Sequence, residues 1–153
     1  MIGRMNYELF MGEALAEARQ ARDRGARPVG AVVVVDEAMV ARASDRVDET
    51  NDPTAHAVIT ALREAARRLG TTRLSDVTVF TTLEPCPMCV GAILQCDATA
   101  LVFAAPSPDG AAGSAVQLAQ HAGLRRRVQV VSGIRRAEAE ELLAQVADVA
   151  LRT

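Results

Sequence analysis

The chain has 153 residues and a net charge of −2; it is 50% hydrophobic, 24% charged and 3% aromatic. Those figures fit one globular domain with a single sizeable core. They disfavour a nucleic-acid binder, which usually shows a basic patch and aromatic stacking platforms, and no apolar run approaches the roughly 18–20 residues of a membrane span.

The opening "MIGRMNYELF" lacks the apolar core of a signal peptide, so a cytoplasmic protein is expected. Residues 6–24 read as an amphipathic helix with Leu9, Phe10, Ala14, Leu15, Ala18 and Ala21 near one face, and Gly25 is its stop. "PVGAVVVV" (28–35) reads as a buried strand, Asp36 and Glu37 as a turn, and "AMVARAS" (38–44) as the returning strand. A polar loop covers 45–53, and a helix is predicted over 54–69, ending at Gly70. "DVTVFTTL" (76–83) is a third strand, and Pro85 suits the first turn of a helix over roughly 85–95. "ATALVFAA" (98–105) is a fourth strand, 106–114 a long small-residue loop, then a short helix. A fifth strand over 127–133 and a closing helix over 135–151 complete the chain. This order implies a three-layer α/β/α sandwich. The short turn at Asp36–Glu37 makes the first strand pair antiparallel, so the five-stranded sheet should be mixed.

Three cysteines are present, two of them in a C-x-x-C at Cys86 and Cys89. In a cytosolic protein that favours metal or redox use over a structural disulfide. The spacing puts both sulfurs on one side of a helix's first turn, where the helix N-terminus stabilises thiolates. His56 opens another helix thirty residues earlier. Two sulfurs and an imidazole are the three protein ligands of a zinc site that keeps a fourth position for water. A redox pair is the rival reading of the C-x-x-C, and Cys96 reads as a small core residue. The cluster Arg125, Arg126 and Arg127 reads as a solvated strand entry, with a phosphate contact as the lesser alternative.

With "PVGAVVVV" (28–35), "NDPTAHA" (51–57), "TLEPCPMC" (82–89) and "DGAAGS" (109–114) in this order, the chain resembles the cytidine deaminase superfamily over nearly its whole length. It looks most like the bacterial tRNA adenosine deaminases and is also similar to guanine deaminases. The resemblance implies a single zinc deaminase-like domain over 1–153, with a five-stranded mixed sheet between helices. It implies one zinc ion per chain on His56, Cys86 and Cys89, carrying the water that attacks an amine-bearing carbon. It further implies a base pocket lined by Val29, Leu83 and the Asp45 position, and a homodimer joined through helices near the site.

One residue breaks the pattern. Such enzymes carry Glu two residues after the His as general acid/base, and this chain has Val58. Valine cannot carry a proton, and losing such a group typically costs ~10²–10⁴ in rate, although the Glu is not a zinc ligand. Val58 instead extends an apolar stripe through Leu62, Ala65 and Leu69. Glu64 is too distant to substitute, about 12 Å along the helix, and Glu84 belongs to the motif alongside the missing Glu. Asp45 stands where the tRNA enzymes have a base-recognising Asn, and as a carboxylate it is the remaining candidate proton shuttle. Ser107 stands where those enzymes place an acidic residue, and the end "VALRT" carries no basic tail, which argues for a small heterocycle or nucleoside over tRNA.

Three readings follow. The chain is a diverged deaminase acting on an amino-substituted nucleobase, nucleoside or similar heterocycle. Alternatively it is a zinc-binding pseudoenzyme or non-catalytic partner subunit, or else an inactivated variant of a tRNA adenosine deaminase-like enzyme.

Overall fold

The run Gly30–Val35 offers water no polar side chain, and in the computed structural model it lies inside the sheet with five of its six residues buried. Residues 5–145 are described. The elements are α1 (Tyr7–Asp23), β1 (Gly30–Val35), β2 (Ala38–Ser44), α2 (Val47–Thr50) and α3 (Ala57–Leu69). After these come β3 (Thr78–Leu83), α4 (Pro87–Gln95), β4 (Ala100–Ala105), β5 (Gln129–Ser132) and α5 (Arg136–Ala144). The sheet order is β2-β1-β3-β4-β5. Strand β1 pairs antiparallel with both β2 and β3, whereas β3–β4 and β4–β5 are parallel. The five-stranded mixed α/β architecture is the one expected.

A two-residue turn closes the first hairpin, with Asp36 and Glu37 both at positive φ (50° and 61°). That conformation matches the twist of antiparallel strands. The register slips between Val33 and Val34, leaving Val40 as the extra residue of a bulge.

Two apolar clusters sandwich the sheet. On one face Phe10, Met11, Leu15 and Ala18 of α1 and Leu142 of α5 pack against Val32, Val34, Phe80 and Val102. On the other, α3 and α4 cover Val33, Val79, Leu83 and Leu101. Gly30 is required for the first contact: a Cβ there would lie 2.1 Å from the Ala14 carbonyl oxygen.

Several details depart from the expected pattern. In α1, Leu9 lies past the edge of the buried stripe and is exposed, and Met11 joins Phe10, Ala14, Leu15, Ala18 and Ala21 in the core. In α3 the apolar stripe ends at Ala65, and Leu69 reaches solvent. The loop after β2 contains the single turn α2. No helix follows the small-residue loop. The 110–119 backbone instead folds on itself, with Leu118 and Ala119 N–H groups donating to the Ala111 carbonyl. The first half of the predicted closing helix is α5, and its remainder, 146–151, lies outside the described residues. Among the described residues no helix is long and apolar enough to cross a membrane.

Candidate metal centre

Two helix N-termini converge at one end of β3. The first is set up by "NDPTAH". Asp52 Oδ1 accepts from the Thr54 N–H at 2.9 Å and the Thr54 hydroxyl at 2.7 Å, which holds the Asp52 carboxyl below its ordinary value. This turn delivers His56 as the N-cap of α3 in an extended conformation (φ −65°, ψ 155°). The second is set up by "EPCPMC": Cys86 is the N-cap of α4 and Pro87 opens the helix, where no N–H is needed. Cys89 then lies one turn in, beside Cys86.

The ligand atoms of His56, Cys86 and Cys89 all lie within 4.8 Å of one another. His56 Nδ1 is 3.6 Å from Cys86 Sγ and 3.5 Å from Cys89 Sγ. Tetrahedral zinc, with Zn–N of about 2.0–2.1 Å and Zn–S of about 2.3 Å, requires an N···S separation of about 3.6 Å. The donor set and its spacing therefore fit a zinc ion. The cysteines are already electrostatically uneven. A hydrogen bond from Cys89 holds Cys86 far below its ordinary value, to about 3, against burial, and His56 adds to the pull. The Cys89 thiol is pushed up, first by that bond, then by burial and the Cys86 charge, while Arg27 draws it back. A metal ion held on both sulfurs would require both as thiolates. Cys96 is half-buried at the C-terminal end of α4 and donates to the Ile93 carbonyl, away from the other sulfurs.

A cavity of about 20 Å³ opens beside the three ligands, lined also by Arg27, Val29, Val58, Leu83, Glu84 and Ser107. Val29 and Leu83 therefore stand where a base-pocket wall was expected. Asp45 does not: it is buried one layer back, with Oδ2 at 3.7 Å from Arg27 Nη1. Its other carboxylate oxygen accepts from the Val47 N–H. Burial pushes the Asp45 carboxyl up, while that hydrogen bond and the charges of Arg27 and His56 pull it down without reversing the shift.

Val58 is 3% exposed and belongs to the core cluster. Glu64, the distant alternative acid, is bound to Arg67 and Arg68 on the outer face of α3. Glu84 touches the cavity but is spent. Its oxygens accept from the Ser107, Ala112 and Ser114 N–H groups at 3.0–3.1 Å and from the Ser114 hydroxyl. The carboxylate buckles the 107–114 loop onto the sheet. Gly110 permits this, since a Cβ there would lie 2.1 Å from the Glu84 carboxyl carbon.

The residue missed from sequence is Arg27. Its side chain is only 12% exposed. Its Nε is buried with no hydrogen-bond partner among the described residues. The available signal was a charge placed directly before the apolar run "PVGAVVVV", where a solvated strand entry is the ordinary outcome. The other basic cluster behaves as expected for a surface: Arg126 donates to the Gln95 carbonyl and Arg127 to that of Ala122.

The description "Cytidine and deoxycytidylate deaminase zinc-binding region" matches residues 4–105 of this chain. The chain belongs to the cytidine and deoxycytidylate deaminase family. It is 38% identical over 138 residues to a tRNA-specific adenosine deaminase of Bacillus subtilis, covering 90% of this chain and 86% of that protein. It is 43% identical over 108 residues to a guanine deaminase of the same organism, covering 70% and 69%. Its fold superposes with a TM-score of 0.85 and 40% identity on a structure solved in a study of A-to-I editing by tRNA:A34 deaminases, covering 88% of this chain and 99% of that one. The chain also matches parts of far longer proteins. It spans 9% of a chloroplastic tRNA(adenine(34)) deaminase of Arabidopsis thaliana and 24% of a tRNA(Ile)-lysidine synthase of Deinococcus radiodurans. The relatives include both tRNA and guanine enzymes, so they lend no support to the expected preference for a small substrate.

Proposed function

We propose that this protein is a zinc-binding member of the deaminase family that holds the metal on His56, Cys86 and Cys89 but lacks the group that moves protons. It would serve as a binding protein or non-catalytic subunit in the cytoplasm. The observation that carries this reading is that no carboxylate beside the three ligands is free to carry a proton. By the resemblance Val58 stands at the position of the expected acid, and its side chain is buried in the core. Glu84 is consumed by the 107–114 loop. Asp45 stands behind Arg27, whose guanidinium stays protonated and cannot relay a proton. Zinc would supply polarisation of a bound water; Val58, Val29 and Leu83 would only shape and dry the cavity.

A second reading keeps the activity, as a hydrolytic deaminase of an amino-substituted nucleobase, nucleoside or similar heterocycle. The retained wall of Val29 and Leu83 favours it, and the −2 net charge favours a small substrate over tRNA. In either reading the open hollow beside α3 and α4, floored by the buried Ile59, Leu62 and Leu74 and edged by Arg63, Arg73 and Arg126, is the expected homodimer face.

Ammonia release separates the two. A panel of aminopurines, aminopyrimidines and nucleosides is offered to the zinc-loaded protein, to Val58→Glu, and to Val58→Glu combined with Arg27→Ala. We expect no release from the unaltered chain. A carboxylate at position 58 would meet the Arg27 guanidinium, so Val58→Glu alone should recover little. The double variant should gain ~10²–10⁴-fold. Turnover by the unaltered chain that Asp45→Ala abolishes would establish the active reading instead.

A further inference from the structure

The resemblance expects a base pocket lined by Val29, Leu83 and the Asp45 position. Val29 and Leu83 do line the cavity beside the three ligands, but Asp45 does not, and Arg27 does. The Arg27 guanidinium comes to 3.7 Å from Asp45 Oδ2, and its charge pulls on Cys89 as well as on Asp45. It therefore lies between the ligand cluster and Asp45, in the span that a base reaching both would occupy. Its side chain is only 12% exposed, so it is packed into that span and not laid over it. The root of the side chain is fixed too. Gly25, at φ 79°, turns the chain out of α1. The Ala26 N–H donates to the Ala21 carbonyl and the Val29 N–H to the Arg27 carbonyl, each at 2.8 Å, and Pro28 between them has its φ set by its ring. Only rotation of the side chain itself could clear the space.

Little room is left beside it. The free volume at the three ligands is about 20 Å³, enough for about one water-sized sphere, and a metal ion would itself take it. Pockets that enclose a small organic ligand run to about 300–1,000 Å³. We propose that Arg27 is an internal plug: its side chain fills the base pocket, closes the centre to heterocycles and confines the metal to a structural role. The inference rests on the metal reading given above and goes beyond it, because a missing proton carrier stops turnover without stopping binding, whereas a plug stops both. It also gives Val58 a context, since a pocket that admits no base has no use for an acid at that position.

Imidazole, a neutral heterocycle that ligates cobalt(II), is the probe. Cobalt(II) loaded into the zinc site reports its coordination through visible absorption bands. The loaded protein is titrated with imidazole beside three variants, with bound metal measured in each. Arg27→Ala removes the plug. Arg27→Met keeps most of its bulk and loses its charge. Arg27→Ala combined with Asp45→Asn removes the plug without leaving a buried carboxylate unpaired, which spares the fold. A plug that stands aside in ~1–10% of molecules lowers the apparent affinity of a ligand beneath it by that fraction. Imidazole should therefore shift the bands of both alanine variants at concentrations about ten- to a hundredfold lower than in the unaltered protein, and Arg27→Met should stay close to the unaltered protein. Equal affinity in all four proteins, no shift in either alanine variant, or an Arg27→Met response matching Arg27→Ala would overturn the plug while leaving the metal reading intact. A chain that takes up neither cobalt nor zinc overturns both.

Discussion

The two walls of one cavity are built differently. On the ligand wall every polar group has a partner or a fixed direction. His56 and Cys86 are placed by helix caps, and Glu84 is satisfied four times over. Beside it Val58 is apolar, Arg27 Nε has no acceptor among the described residues, and Asp45, one layer behind the lining, is burdened by its burial. Metal holding and proton transfer are separable tasks, because the general acid of such a site is not a metal ligand. One wall can keep its task after the other has lost its own.

The sharpest break of the comparison is on the ligand wall itself. Replacing Cys89→Ser together with His56→Ala removes two of three donors, so metal analysis of the purified protein should go from one zinc per chain to none. Zinc retained by that variant would mean the ion sits elsewhere. The next effect is structural. Glu84→Ala takes the acceptor from three backbone N–H groups at once. At about 1–3 kcal/mol for each orphaned donor, the loss should be about 3 kcal/mol or more in urea unfolding. Glu84→Gln, which keeps one carbonyl oxygen, should lose less. Equal losses in the two variants would show that the charge, and not the count of acceptors, holds the loop.

Much of this was legible from residue order. The strands at 28–35 and 76–83 announce themselves by apolar, β-branched-rich runs, and the helix after β3 by its prolines, although Pro87 and not the expected Pro85 opens it. Local chemistry decides those elements, so the sequence contains them. The short helix expected after residue 114 does not form because Ala115, Val116, Leu118 and Ala119 pair back onto Gly110 and Ala111, in the loop that Glu84 holds through Ala112 and Ser114. The candidate ligands came from the C-x-x-C spacing, the motif around His56 and the resemblance, and the structure brings all three together. Arg27 and Asp45 were not readable as a pair. They lie eighteen positions apart in the sequence, and only the turn of β1 against β2 brings Asp45 back beside the entry to β1, where its N–H donates to the Val29 carbonyl.

The smallest predicted effect tests whether that pair is well matched. Asp45 has its folded-state pKa above its ordinary value of 3.8, burial outweighing the Val47 hydrogen bond and the Arg27 and His56 charges. For an acid raised in this way, the folded state still holds its proton at pH values where the unfolded chain has lost it. Stability from this group is therefore full below 3.8 and declines as pH rises through the folded value. Asp45→Asn keeps the shape, takes no proton and escapes the decline. The difference in unfolding free energy between variant and unaltered protein should move in the variant's favour above that point and level off near neutrality, by less than the Glu84 effect. A difference moving the other way would mean that the Arg27 attraction outweighs burial and that the pair stabilises the fold. Loading the metal should shrink the difference, because a divalent charge held by His56 draws the Asp45 carboxyl down toward its ordinary value; a difference unchanged by loading would place Asp45 beyond the reach of the centre's field.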